Sequence, residues 1–292
     1  ASDVYKRQIY TQSMGRPLMF VLVLIMMPLA TTEIGTDGWI TAVMESVVKG
    51  VAADGSDLFH PGWILVYTSL IMAVLRFYAG PISHKFSALG LLAGSSLLAI
   101  IGLYALGGAV GMAAIFIAAT VYAFGKTFFW PTMLGVVSEQ FPRGGALTLG
   151  AVGGIGMLSA GLLGGPGIGY KQDYFAAQYL QEQHSALYEE YKAPSERGFL
   201  MFPKITGLDG AKVGAVLEAS PESLTTVENE YKGALLRAST HGGQMALKWT
   251  ALVPLVMAFG FLGLIVHFRS RGGYSAVTVS YTHLTLPTNR EV

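Results

Sequence analysis

VYAFGKTFFWPTMLGVVSEQFPRGG, residues 121–145, decides how the rest of the chain is read. Its first two-thirds are apolar, aromatic and small residues of the kind that fill a membrane-crossing helix. One lysine, Lys126, stands well inside that run, and Trp130-Pro131 follows one helical turn later. The stretch leaves the apolar phase through Glu139, Pro142 and Arg143. An ammonium at the centre of a span costs at least ~2.5–3.5 kcal/mol, so it needs a partner or a water-filled cavity.

The composition points the same way. Charged residues make up 13% and hydrophobic residues 52% of the chain, with a mean hydropathy of +0.49. A soluble domain carries about 25% charged residues. The 37 glycines fit as well, since glycine is commoner in membrane helices than in soluble ones. The absence of cysteine excludes a disulfide framework and a thiolate metal site. A formal charge of +1 leaves no basic footprint for nucleic acid.

The two ends are set aside before the fold is read. Asp3–Gln8, DVYKRQ, can be written in codons as GATGTGTATAAGAGACAG, and the reverse complement in another frame reads Val279–His283, VSYTH, and begins Leu284. An inverted element at both ends looks like a translated sequencing-library adapter, over residues 1–8 and 279–292. The authentic part is then expected to start mid-gene, near Ile9.

A span needs ~20 mostly apolar residues. Six are expected: Pro17 to about Val48, kinked by Pro28; Pro61 to about Tyr78; Ala88 to about Leu106; Met112 to about Val137; about Ala146 to Gly164; and about Met245 to Phe268. Residues 9–169 hold the first five, and 245–278 the sixth with a short tail. If the spans alternate, Arg16, Arg76, Lys85, Arg143, Arg269 and Arg271 fall on one side, which the positive-inside rule makes cytoplasmic. Both termini are then cytoplasmic, in a cell membrane of the bacterial inner-membrane kind.

Residues 170–244 form a polar insert on the opposite, extracytoplasmic side. Tyr174, Ala177, Leu180, Leu187, Tyr188 and Tyr191 recur at helix-like intervals. Asp209 is placed to cap a helix through Leu217, and Ser220-Pro221 to open one reaching about Ala238. His241-Gly242-Gly243 is expected to reset the chain before the last span. The insert reads as a small helical cap that either binds a partner or shields the mouth.

Lys126 is the leading binding or coupling residue; a structural ion pair or a snorkelling stem is the alternative. Glu33 and Asp37 are four apart, hence on one helix face. At 1.5 Å per residue Glu33 lies about 24 Å from Pro17, and Lys126 about 20 Å above Glu139. A Glu33–Lys126 pair is therefore geometrically open. Burial favours a neutral acid and a nearby ammonium favours its anion, an opposition suited to proton coupling. The alternative puts both acids in interfacial water. Phe128, Phe129 and Trp130 can stack on a ring-bearing solute or simply pack, and Pro131 reads as a helix bend. Thr31, Thr32, Thr36 and Thr127 are possible hydrogen bonders. Gly150 with Gly154, and Gly161 with Gly165 and Gly169, form small-residue rows for close helix packing. Gly164–Lys171, GGPGIGYK, lacks the Gly-Lys-Ser/Thr ending of a phosphate loop. His84, His184 and His241 are isolated, so no metal site, catalytic set or cofactor is expected.

Six spans, a basic loop between the second and third and a glycine-rich fifth span resemble the C-terminal half of a major facilitator superfamily transporter. The nearest local match is Arg76 to Phe86, RFYAGPISHKF, which is similar to that family's cytoplasmic loop signature; its usual acidic residue is absent, with Ser83 and His84 in that region. Phe141–Ala146, FPRGGA, also looks like the family's loop before the eleventh helix. The resemblance implies two inverted three-helix repeats, with a first six-helix half of the same polypeptide missing. It further implies a midplane site for a small-molecule substrate, cation coupling, and a cytoplasmic gate loop holding Arg76, Gly80, Pro81 and Lys85. The other reading is a non-transporting anchor or integral membrane enzyme presenting 170–244 to a partner.

Overall fold

The computed structural model describes residues 13–51, 60–80, 85–219 and 225–278. The adapter-like ends 1–8 and 279–292 lie outside the described residues, as do Pro81, Ser83, His84 and Ser220-Pro221. Regular structure is helical. Among the described residues, extended pairing is confined to two isolated bridges, Lys192 with Leu208 and Arg197 with Ile205.

The first passage is α1 (Pro17–Ala30), a π turn (Thr31–Gly35) and α2 (Thr36–Val51). Proline at the first helical position loses nothing, since its missing N–H has no intrahelical partner anyway. The irregularity expected at Pro28 takes the form of a wide turn directly after it. Thr32 Oγ1 donates to the Pro28 carbonyl at 2.8 Å, and the Thr36 N–H reaches back five residues to Thr31. The second passage is α3 (Gly62–Phe77), followed by α4 (Ala88–Leu106), whose Ser87 cap accepts from the Gly90 N–H at 3.1 Å. The fourth is broken into α5 (Met112–Lys126) and α6 (Phe129–Gln140). A short 3-10 turn (Pro142–Gly144) leads to α7 (Gly145–Ser159), a second π turn (Ala160–Gly164) and α8 (Gly165–Gln183). Then come α9 (Ser185–Tyr191), α10 (Gly210–Glu218), α11 (Thr226–Thr250) and α12 (Leu252–Arg269).

Five of these helical runs are long and apolar enough to cross a membrane, and α3 is a shorter apolar helix. At about 24 Å, its 16 residues fall short of a hydrocarbon core of about 30 Å. Leu97, Ile101 and Tyr104 on α4, and Leu252, Val256, Phe259 and Val266 on α12, all point outward. Such continuous apolar exposure is stable only against lipid. The chain is an all-α, polytopic membrane protein.

Helices α4 and α5 pack as a hairpin, α12 lies against α4 and α1, and α3 against α5. Cavities at one end of the bundle are lined by Arg16, Arg143 and Arg271, so these three cations share that end. The short tail folds back there, with the Val277 N–H donating to the Glu139 carbonyl at 2.9 Å.

A second core holds Ala177, Leu180, Leu187, Tyr188 and Tyr191 with Val213, Val216, Leu235 and Ala238. Five of the six residues at helix-like spacing are therefore packed together. Asp209 caps α10 as its spacing implies, accepting from the Ala211 and Lys212 N–H groups. The break expected at His241-Gly242-Gly243 is absent: α11 runs straight through it to Thr250. The reason is close packing, because a Cβ on Gly242 would stand 2.8 Å from Ala176 Cβ. These glycines let α11 lie against α8 and do not end it. In the same way α8 carries the fifth passage on past Tyr170 without a break.

The glycine rows need a correction. Gly150, Gly154 and Gly161 face no atom within 4 Å, whereas Gly169 meets Trp39 and Gly156 meets Met26 and Trp130. Gly165 and Gly169, beyond the π turn, keep the expected four-residue spacing against Trp39, whereas Gly150 and Gly154, before it, lie on an open face of α7. The two π turns cross closely: a Cβ on Gly164 would lie 2.7 Å from Gly35 Cα. Thr31 and Ser159 hydroxyls meet beside it at 3.1 Å. Gly164→Val is expected to cost about 3 kcal/mol through overpacking, seen as a lower melting temperature of the detergent-solubilised chain. Unchanged melting would mean the helices do not cross there.

Candidate functional site

The break in the fourth passage builds the site. Pro131 has no N–H and fits the first turn of a helix without losing a hydrogen bond, and α6 restarts at Phe129 with Pro131 third. Restarting leaves backbone donors without intrahelical partners inside the membrane. One is the Trp130 N–H, which donates to Glu33 Oε2 at 3.0 Å. The carbonyl of Thr127, on the other side of the break, accepts from Arg76 Nε at 3.1 Å. Arg76 Nη2 closes the circuit with Glu33 Oε1 at 2.8 Å. Glu33 therefore faces a helix N-terminus and a guanidinium together, both of which favour negative charge.

One turn further along the first passage, Asp37 pairs with Lys126. The Lys126 stem passes over the Tyr122 ring, its Nζ 5.1 Å from the centroid. Tyr122 in turn donates its hydroxyl to the Thr32 carbonyl in the π turn at 2.7 Å. Two ion pairs, one tyrosine and two irregular helix segments thus form one connected polar core.

The open Glu33–Lys126 pairing is not the one made. Glu33 takes Arg76, and Lys126 takes Asp37. The contacts Glu33 with Trp130 and Asp37 with Lys126 show α5–α6 running antiparallel to the first passage. Side chains lean toward the N-terminus of their own helix. Lys126 therefore leans along its helix toward Asp37 and away from Glu33. The lysine is fully enclosed, and Asp37 is 22% exposed; Arg76 is 39% exposed and Glu33 7%. The two pairs are open to their surroundings on the Arg76 and Asp37 sides.

Other expected residues fall differently. Arg76 belongs to this core rather than to the loop after it, while Gly80 and Lys85 are exposed and Pro81 lies outside the described residues. Phe129 is fully buried in the apolar core and offers no ring face to a solute; Phe128 is also buried. Trp130 is only partly buried, against Gly153 and Gly156. Thr127 donates to its own helix at Ala123, 2.6 Å away, and Thr32 likewise bonds within its own helix. Sequence reasoning missed Tyr122 and the inward role of Arg76. The available signal was Pro131, whose place after Thr127-Phe128 requires a new helix start with free donors.

No family model matches the chain, and no curated protein matches it. Among solved structures it is similar to a bacterial homologue of the human lysosomal transporter Spinster, in an inward-facing and unoccupied conformation. The TM-score is 0.60 at 15% identity, over 87% of this chain and 49% of that one. The chain has a major-facilitator-like fold. It spans about half the length of that solved transporter chain. At such identity the likeness is one of architecture, and the polar core stands on its own geometry.

Proposed function

We propose that this chain is the C-terminal six-helix wall of a secondary active transporter, moving a small solute by alternating access coupled to protons. The observation that carries the reading is the pair of ion pairs at a broken helix, Glu33–Arg76 and Asp37–Lys126. Ionisable groups inside spans are expensive and mark substrate or proton paths, and broken helices line transporter sites. The similarity to a transporter over about half its length supports the same view.

In this reading Glu33 carries the coupling proton. Its protonation removes the anion that holds Arg76 and the Trp130 N–H, loosening the contact between the first, second and fourth passages. Lys126, held by Asp37 at rest, turns to an anionic or hydroxyl-bearing group of the solute, and Trp130 supplies a ring face. The loop with Gly80, Pro81 and Lys85 gates the cytoplasmic side, and the 170–244 insert lies on the extracytoplasmic side. The partners are the bilayer, the solute and a second six-helix half. No covalent step is proposed; the chemistry is binding, protonation and a conformational switch.

The test is reconstitution of the complete two-half protein in vesicles with a trapped pH dye. A panel of small anionic and hydroxylated solutes is first screened for shifts in melting temperature. A solute that raises melting is expected to be taken up together with protons. Melting shifts without any solute or proton movement would count against transport.

A further inference from the structure

We propose that residues 198–203, GFLMFP, form an apolar finger that inserts into the membrane leaflet on the insert's side and anchors the insert there. The inference needs the membrane setting of the helices but not transport.

The finger is a built structure. Arg197 and Ile205 exchange both backbone hydrogen bonds at 2.8 Å, closing its base, and the Phe202 N–H donates to the Phe199 carbonyl at 2.9 Å to make its turn. Leu200, at the tip, has φ of 50°, in the left-handed region that non-glycine residues rarely enter. That turn pushes Leu200 and Met201 outward, 70% and 91% exposed, with Phe202 at 46%. Three large apolar side chains on a protruding tip form a surface that water does not favour.

Its position selects the occupant. Phe199 packs on Gly167 at the end of the fifth passage, and Tyr170 donates its hydroxyl to the Pro203 carbonyl at 2.8 Å. The Tyr170 ring also clusters with the Phe199 and Phe202 rings, its centroid 6.2 and 5.6 Å from theirs. Phe202 and Pro203 line a cavity of about 280 Å³ with Phe175 and Trp249. Trp249 stands less than one turn before Leu252, where the outward apolar stripe of α12 begins. The finger is thus continuous with the lipid-facing surface, at the level where tryptophan and tyrosine mark the bilayer boundary. Exposed Arg197 and Lys204 flank its base, as suits a segment dipping between anionic headgroups.

The chain lacks cysteine, so one introduced thiol gives a unique spin-label site. The full chain is placed in nanodiscs containing phosphatidylglycerol, with the label at Met201→Cys, at Val256→Cys as the lipid reference, and at Gln183→Cys as the water reference. Collision with oxygen and with an aqueous nickel chelate is read for each. The label at 201 is expected to lose nickel accessibility and keep oxygen accessibility, matching 256. Nickel accessibility equal to that at 183 would overturn the proposal. So would loss of access to both reagents, which would mean burial against protein. Met201 packs against almost nothing else in the chain, being 91% exposed, so the substitution leaves the fold intact.

Discussion

Glu33→Gln is expected to abolish proton-coupled uptake by the complete transporter while leaving solute exchange in place. Glutamine has the same shape but a single acceptor oxygen, so it keeps either the Trp130 N–H or the Arg76 contact and turns its amide NH2 toward the other donor. What it lacks is the charge that a proton would cancel. Arg76 loses its anion but is 39% exposed, so water replaces part of the contact and the fold should persist. The expected fall in coupled flux is on the order of 100-fold, at the upper end of ordinary coupling free energies. The measurement is solute-driven proton entry against solute-for-solute exchange in the same vesicles. Equal loss of both would make Glu33 structural, and loss of neither would remove it from the coupling step.

Lys126→Met should act on stability first. The lysine side chain is 0% exposed and its partner Asp37 22%. Removing the ammonium leaves a largely enclosed carboxylate without its cation, a change worth about 3–5 kcal/mol when buried pairs are broken. Replacing both members removes the stranded charge, so Lys126→Met with Asp37→Asn should recover most of the loss. Melting of the detergent-solubilised chain checks this directly. A single variant that melts like the parent would show that the pair is not what keeps the ammonium inside. A double variant no better than the single would place the cost in lost packing over Tyr122.

The two predictions treat neighbouring pairs differently because their surroundings differ. Glu33 is paired with a partly hydrated guanidinium on α3 and with a backbone donor at the start of α6. Asp37 is paired with an ammonium enclosed between α5 and the first passage. The first arrangement is open on the Arg76 side, 39% exposed, and the second encloses its cation completely until a solute group competes for it.

Much of this was legible in the residues. An ammonium within an apolar run had to find an anion, and Glu33 and Asp37, four apart, were the acids on a facing helix. Hydropathy located the five long apolar passages and the shorter α3, because lipid leaves no other way to satisfy about twenty backbone amides than a helix. The Asp209 cap and the apolar spacing from Ala177 to Tyr191 were equally local and equally readable. Less local features were not. The fate of His241-Gly242-Gly243 depended on α8 lying beside it, and glycine serves a close crossing as readily as a chain break.

By itself, then, the order of residues determined that this is a helical membrane protein with a cation and two acids sunk in it. Only the tertiary structure decided who pairs with whom. Periodicity along a helix reports which side chains share a face, but pairing depends on helix direction and on register between helices. Here that register is set by two π turns and a break at Thr127–Phe128. Distant segments meet at those irregularities, and no local pattern specifies which: Gly35 against Gly164, Arg76 at the Thr127 carbonyl and Glu33 at the Trp130 amide.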